Sequence, residues 1–350
     1  MSDAILSELN NADLDWLLEI SDRHTLKSGG CLPSSPGAID LVLDGMVEVY
    51  AAQGGPDGQD HPVIDQLGSG DMVGEHHLFS QCDPPHPKQY AVVADATVLA
   101  VPVTELMARL TARFYRAIAL ILSEQLRRIY QTPTAVQLAE KQPLRDALLV
   151  FSELRDSDLD WLVQTGQVER FATDEFLLRA GRPVDALHII LDGLFSVGVL
   201  EGNPNPLMIC FNCPVETASA MTVVNTLTKG EIAGAIAFLD ARPLPVSIRA
   251  LRESLVLTIP RQQFTVKLQQ DRGFAATFYR ILGSQLAGMV QTAILRSPGQ
   301  SQAPAVTDDS SDGLSAAMAD ADKLDLDALQ HLSDGANRFT WMLSRLGVGV

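Results

Sequence analysis

Hydrophobic and polar residues follow the same order twice along this chain. Each half begins with a short segment of helical periodicity, continues as short β-branched runs broken by Gly, Pro, Asp and Asn, and ends in a long amphipathic stretch. The last apolar run of each half ends in Pro102 or Pro260, and proline does not continue a central strand. The pattern therefore predicts a helix, a set of strands and a long helix in each half, with the long helices running through Arg128 and Leu295.

The β-branched runs predict where the strands lie. They span 41–51, 61–67 and 90–102 in the first half, and 175–181, 186–200, 206–211 and 246–260 in the second. Gly45 and Gly193 each follow a Leu-Asp pair between two apolar runs. Because glycine accepts the backbone angles of tight turns, this placement predicts a hairpin turn at each of them.

Blocks of sequence recur in one order, which indicates a tandem duplication. DLDWL at 13–17 returns unchanged at 158–162, LVLDGMVEV at 41–49 is echoed by IILDGLFSV at 189–197, and GSGDMVGE at 68–75 by TKGEIAGA at 228–235. The helical stretches at 114–126 and 278–286 also match, with four residues, about one helical turn, absent from the second. Matches in this constant order predict two copies of one domain.

Four regions follow from these patterns and from the change in composition near the C-terminus. They are two domains at 1–135 and 136–297, a flexible acidic linker at 298–320 and an amphipathic tail at 321–350. The tail is predicted to form two short helices around Gly335, whose apolar side chains need a cover. Two possibilities stay open: the tail folds back on the same chain, or it docks on a protein partner through Phe339, Trp341 and Leu343.

Composition and charge narrow the class of protein. Apolar residues make up 46% and charged residues 20% of the chain, which is typical of folded domains. The 43 acidic residues against 26 basic ones give a net charge of -17, which repels nucleic acid in the absence of a basic patch. No apolar run reaches the roughly 18 residues of a membrane helix, and the first residues have no signal pattern. We therefore expect a cytoplasmic protein that contacts neither nucleic acid nor membrane.

Motifs for metal binding and catalysis are weak or missing. Cys210 and Cys213 form a C-x-x-C without a second pair, so loop or core thiols are the favoured interpretation over a zinc site. The histidines around Cys82 suit a metal or haem poorly, because adjacent histidines point to opposite sides. The chain has no phosphate loop, no G-x-S-x-G and no H-E-x-x-H. We predict that it is not an enzyme and has no metal and no cofactor.

The second copy resembles a known family. LLRAGRPVDALHIILDGLFSV is similar to the Gly, Asp, strand and hairpin-Gly pattern of the cyclic-nucleotide-binding domains of the catabolite activator protein, kinase regulatory subunits and cyclic-nucleotide-gated channels, with Gly181, Asp185 and Gly193 at those positions. The likeness covers about 5–130 and 150–295. It implies a fold that is mainly β with flanking α: two tandem jelly-roll-like β-rolls, each with N- and C-terminal helices, plus a short helical C-terminal tail.

In that family the ligand lies in a phosphate-binding cassette, where backbone amides and one Arg meet the cyclic phosphate and a Glu holds the ribose hydroxyl. In the first copy the resemblance places Gly74 and Glu75 on the Gly-Glu pair and Lys88 on the Arg, with His76 and Gln89 beside them. Lysine keeps the charge but not the planar two-pronged donor. The resemblance therefore implies a site for cyclic AMP or cyclic GMP with a changed phosphate contact.

The second copy departs further from the family pattern. Gly234 matches the Gly, but Ala235 replaces the Glu and Leu244 replaces the Arg. Arg242 lies two residues before the expected Arg and could bend in. The favoured interpretation is a degenerate pocket that no longer binds a cyclic phosphate in the family's manner.

Two functional hypotheses remain nearly level. The first is a regulatory sensor without a DNA-binding domain, whose first copy binds a cyclic nucleotide and whose second copy is structural. The second is a scaffold or adaptor whose two rolls bind protein partners and no nucleotide. In either case a protein partner is expected at the tail or a β-roll surface, and the long helices offer a homo-oligomer contact. The first hypothesis leads narrowly, because ligand sensing is the usual work of the fold.

Overall fold

The computed structural model of the chain describes residues 8–32, 37–50, 63–79, 89–131, 151–200, 221–294 and 326–348. The chain divides into two compact units, Met1–Ala139 with Tyr279–Gln300 and Glu140–Phe278 with Ser301–Val350, called unit 1 and unit 2 below. The predicted strand at 206–211 and the predicted linker lie outside the described residues. Each unit contains antiparallel strands flanked by helices, which confirms the predicted fold class.

Unit 1 opens with a helix, continues as a five-stranded sheet and ends its first segment in two helices. Its elements are α1 (Asn11–Ile20), β1 (Asp22–Leu26), β2 (Ala38–Tyr50), β3 (Val63–Leu67), β4 (Met72–Val73), α2 (His76–Phe79), β5 (Gln89–Pro102), α3 (Val103–Ala108) and α4 (Ala112–Gln131). The strand order is β1-β5-β2-β3, and β4 also pairs with β2. All these pairs are antiparallel.

The two long strands of unit 1, β2 and β5, bend along their length and stay continuous. The pairing of β2 with β5 shifts register three times between Val42 and Val47, and such bulges bend and twist a strand. Gly45 lies in this stretch with φ of +96°, and a Cβ there would overlap Ala96 on β5. The predicted hairpin at Gly45 is therefore wrong, because this glycine lets a continuous strand bend where its neighbour comes close.

Unit 2 repeats this plan with its strands divided between two sheets. Its elements are α5 (Asp156–Thr165), β6 (Gln167–Phe171), β7 (Phe176–Leu178), β8 (Ala186–Asp192), β9 (Leu194–Leu200), β10 (Met221–Thr228), β11 (Ile232–Ala233), α6 (Ala235–Asp240), β12 (Ser247–Ala250), β13 (Ser254–Pro260), α7 (Arg261–Gln270), α8 (Arg272–Ile294, shared with unit 1) and α9 (Leu326–Arg345). The sheet orders are β10-β9-β12-β7 and β11-β8-β13-β6.

The division between the sheets of unit 2 occurs at Gly193. This residue joins β8 of one sheet to β9 of the other with φ of +119°, and a Cβ on it would overlap Ser254. The predicted hairpin at Gly193 is thus wrong for the same reason as at Gly45. In both units a glycine lies where the backbone bends next to a residue that approaches it closely.

The C-terminal tail is one helix of unit 2. α9 runs without a break through Gly335, so the prediction of two short helices is wrong; burial of one face offsets the roughly 1 kcal/mol cost of a helical glycine. The ring of Phe339 packs edge-on against Phe151 with 4.7 Å between centroids. Arg338 donates a hydrogen bond of 2.7 Å to the carbonyl of Ser152. The tail therefore folds back on its own chain.

This packing changes the list of candidate docking residues. Phe339 and Leu343 are only 1% and 2% exposed and lie in the core of unit 2, so the prediction that they dock a partner is wrong. Their apolar faces are already covered by the chain itself. Trp341 stays 39% exposed, with the guanidinium of Arg345 5.5 Å from its ring centroid.

The long helix α8 is divided between the two units. It starts in unit 2, and its residues from Tyr279 onward belong to unit 1; the domain boundaries 1–135 and 136–297 stay a prediction. Within unit 1, Arg116 lies over the ring of Tyr279 at 5.9 Å. A Cβ on Gly283 would lie 2.6 Å from the ring of Phe79, so the missing side chain lets this ring reach the helix backbone.

Candidate functional site

The first cassette, residues 74–79, follows β4 and contains the single-turn helix α2. Gly74 has φ of +87°, and a Cβ there would lie 2.7 Å from the carbonyl oxygen of Ala38, so glycine is required on both counts. The turn closes with a 3.0 Å hydrogen bond from the His77 N–H to the Gly74 carbonyl. It leaves Glu75, which is 2% exposed, at the inner start of the helix.

The structure describes part of the predicted site. Gly74 and Glu75 lie together at the end of β4, as their adjacency requires. His76 begins α2 and Gln89 begins β5, but their side chains lie outside the described residues, as does the whole of Lys88. The contact of Lys88 with a phosphate therefore stays a prediction.

A second buried carboxyl group, which the sequence analysis did not single out, lies inside the first roll. Ile39 and Leu41 line an apolar cavity against α1 and α4, so the alternation of strand side chains turns Asp40 to the opposite, inner face. Asp40 is 4% exposed, pairs with Val73 just before the cassette, and has one carboxyl oxygen, Oδ1, without a hydrogen-bond partner. Burial raises the pKa of Asp40 to about 6, and the nearby His24 opposes this effect.

The phenol of Tyr90 lies near both carboxyl groups. Burial raises the pKa of Tyr90 well above its usual value, and the negative charges of Glu75 and Asp40 raise it further. Tyr90 is at the start of β5, whose partner β2 carries Asp40 and bends at its bulges. The phenol of Tyr90 thus lies within electrostatic reach of one carboxyl group on β2 and of another just before α2.

The second cassette, residues 234–240, has the same backbone and a different interior. Gly234 has φ of +84°, close to that of Gly74. Ala235 is 4% exposed and Leu244 is 3% exposed, so the predicted degenerate positions are both buried in apolar surroundings. Every residue from 235 to 239 is buried as well. This cassette is packed as core and presents no charged side chain from the positions that match Glu75 and Lys88.

Arg242 pairs with the carboxylate at the end of the second cassette. Its guanidinium forms an ion pair of 2.9 Å with Asp240, and its Nε donates a 3.0 Å hydrogen bond to the same carboxylate. The Arg242 side chain is 51% exposed. The ion pair fixes this cation, half-exposed, at the last residue of α6.

A different arginine, Arg261, binds backbone carbonyls of the second cassette. Its guanidinium donates hydrogen bonds of 3.1 and 2.8 Å to the carbonyls of Ala237 and Phe238 in α6, and one of 3.3 Å to the carbonyl of Val184. The guanidinium also lies 5.2 Å from the ring centroid of Phe238. The matching residue of the first copy is Val103, which has no such donors.

We expect Arg261→Val to loosen α6 selectively. The amides of Phe238 and Ala241, which bond to the carbonyls of Gly234 and Ala237, should exchange hydrogen at least tenfold faster, since hydrogen bonds from a charged donor are lost. Hydrogen exchange read by mass spectrometry measures this. Arg170→Val, on the exposed strand β6, is the control. Unchanged protection of α6 in Arg261→Val would show that this arginine does not hold the cassette.

Other features bear on function through what they exclude among the described residues. No group of three or more potential metal ligands occurs in that part of the chain. Cys31 is an exposed free thiol, whereas the other three cysteines lie outside the described residues. No helix in the described ranges is both long and apolar enough to cross a membrane.

Comparison with known proteins gives a family match within the second roll. Residues 168–271 match the family model of the cyclic nucleotide-binding domain. The match covers β6 to α7 and so includes the second cassette, the one without the charged positions. No curated protein matches the chain.

Several solved structures are similar to this chain at low sequence identity. The regulatory domain of Toxoplasma gondii PKA with cAMP is 15% identical, with 75% of this chain and 87% of that chain covered and a TM-score of 0.27. The regulatory subunit of a cAMP-independent protein kinase A from Trypanosoma cruzi bound to guanosine is 15% identical, with 78% and 85% covered and a TM-score of 0.28. A putative cAMP-binding regulatory protein from Silicibacter pomeroyi is 22% identical, with 38% and 59% covered and a TM-score of 0.29.

Proposed function

We propose that this chain, whose second roll belongs to the cyclic nucleotide-binding domain family, is a non-catalytic regulatory protein with one ligand site, in its first roll. The ligand is a cyclic nucleotide, cyclic AMP or cyclic GMP, bound at the first cassette through Gly74, Glu75 and Lys88. The second roll is a structural copy that holds its cassette closed without a ligand.

The contrast between the two cassettes carries this proposal. Glu75 is a carboxylate kept 2% exposed at the start of a cassette helix, and Ala235 occupies the same position in the other copy. A buried ionisable side chain in one copy and an alanine in the other point to different tasks for the two cassettes. The hydroxyls of a ribose are donors of the kind that such a carboxylate accepts.

The packing of the second roll also supports a single ligand site, in the first roll. Its cassette is filled with apolar side chains, and Arg261 satisfies carbonyls at the end of α6. A helix held in this way needs no anion to fix its position.

We propose that unit 2 supplies a surface for a protein partner, with the exposed Trp341 as its anchor, because half-exposed tryptophan is enriched at the centres of interfaces.

Calorimetric titration of the full chain with cyclic AMP and cyclic GMP tests the proposal. Glu75→Ala and Glu75→Gln should each weaken binding tenfold or more, because each removes the charged acceptor of a ligand hydroxyl. Lys88→Ala should also weaken binding, by loss of the cation opposite the phosphate.

Glu105→Ala is the matched control, since Glu105 is an exposed carboxylate on α3 of the same unit. Circular dichroism of each variant separates lost binding from lost folding. Absence of binding and of thermal stabilisation by millimolar cyclic nucleotide in the unmodified chain would overturn the proposed function.

A further inference from the structure

Corresponding positions on the inner faces of the two rolls hold different polar side chains. His188 in unit 2 occupies the position of Asp40 in unit 1. On the neighbouring strand, Thr258 lies opposite His188 and Ala100 lies opposite Asp40. Because the positions correspond, the hydrogen bonding of the inner polar side chain can be compared between the two rolls.

The second roll satisfies its polar group internally. Nδ1 of His188 lies 3.1 Å from Oγ1 of Thr258, within hydrogen-bond distance, and burial lowers the pKa of His188 to about 4, so the ring is neutral. In the first roll the opposite residue is Ala100, which has no side-chain donor. Oδ1 of Asp40 therefore has no hydrogen-bond partner although the residue is 96% buried, being 4% exposed.

An unpaired buried carboxyl oxygen calls for a functional explanation. Folded proteins pair the large majority of their buried polar atoms, and contact with a ligand is one explanation for an exception. Asp40 lies on the inner face of β2, beside the strand that leads into the first cassette, and its charge acts on the same phenol as that of Glu75. The open acceptor is thus aimed into the roll that the proposed ligand enters.

We propose that Asp40 is a ligand-contacting residue of the first roll, accepting a hydrogen bond from an N–H or O–H group of the base or ribose of the nucleotide. This rests on the proposed function and deepens it. A carboxylate accepts hydrogen bonds and repels phosphate, so Asp40 faces the neutral part of the ligand. With Glu75 it gives the site two carboxyl acceptors, and a ligand with only one donor group leaves the second acceptor unpaired.

The test is titration of the full chain with cyclic AMP and cyclic GMP, using Asp40→Asn and Asp40→Leu. Asp40→Asn keeps the shape and removes the charge, whereas Asp40→Leu removes both acceptor oxygens. We expect Asp40→Asn to weaken the affinity for the tighter of the two ligands about tenfold, and Asp40→Leu to weaken it further. Asp44→Asn, an exposed position on the same strand, should bind like the unmodified chain.

The outcomes separate this proposal from the proposed function. Equal affinity in the unmodified chain and in both Asp40 variants would overturn the role of Asp40 while leaving the first cassette as the binding site. A loss confined to Glu75 variants would have the same meaning. No binding by the unmodified chain would overturn the proposed function and this proposal with it. Thermal unfolding of Asp40→Asn shows whether that variant is folded.

Discussion

Asp158→Ala is expected to lower the free energy of unfolding of unit 2 by about 3 kcal/mol or more. Asp158 is 1% exposed at the start of α5 and accepts hydrogen bonds of 2.9 and 3.0 Å from the Arg155 guanidinium and one of 3.2 Å from the Arg155 backbone N–H. Lys267 forms a further ion pair with it at 3.4 Å. Alanine removes the helix cap and leaves two cations without this partner.

Urea denaturation followed by circular dichroism measures this change. Asp160→Ala is the control: it lies on the same helix, 43% exposed, and its ion pair with Arg345 at 3.5 Å should contribute less than about 1 kcal/mol. Asp158→Asn should fall between the two, because its amide oxygen still caps the helix. A loss in Asp158→Ala no larger than that of the control would contradict the assignment of this cluster as a main support of unit 2.

The pH dependence of Asp40→Asn is expected to give the second large effect. Burial raises the pKa of Asp40 from 3.8 to about 6, so the folded chain holds this proton more tightly than the unfolded chain. Stability contributed by the protonated carboxyl is therefore present below about pH 4 and is lost as the pH rises through about 6. The loss above pH 6 amounts to as much as about 3 kcal/mol.

Asp40→Asn is therefore expected to stabilise the ligand-free chain at pH 8 by up to about 3 kcal/mol and to change it little at pH 4. Unfolding by urea at a series of pH values measures the difference. Asp44→Asn, on the exposed part of the same strand, is the control for loss of a carboxyl group from β2. A stability difference between Asp40→Asn and the unmodified chain that is the same at pH 4 and pH 8 would show that Asp40 does not carry a buried charge.

Much of the fold follows from the sequence because hydrophobic periodicity reports burial. The long runs that became β2, β5, β8 and β13 bury side chains on their inner faces and were predicted as strands. β1 and β6 were not predicted, since their residues are mostly exposed and carry no apolar signal. Gly45 and Gly193 were correctly identified as special positions, but local sequence does not distinguish a hairpin from a corner that a neighbouring strand imposes.

The candidate site shows a similar limit. The family resemblance singled out Gly74 and Glu75, and these two residues lie together because they are adjacent in the sequence. Asp40 was missed, although an Asp within the apolar run AIDLVL was a visible signal for a buried charge. Arg261 was missed because its hydrogen bonds join residues more than twenty positions apart. Arg261 could have been found by comparing the two copies, because Val103 occupies its position in the first copy.

Hydrogen exchange of the full chain, with and without saturating cyclic AMP or cyclic GMP, tests the central claim most directly. A ligand slows exchange where it contacts or orders the backbone. One ligand site in the first roll predicts slower exchange at residues 72–79 and at the start of β5, and unchanged exchange at residues 234–250. Slower exchange at residues 234–250, or no change in either cassette, would contradict the account.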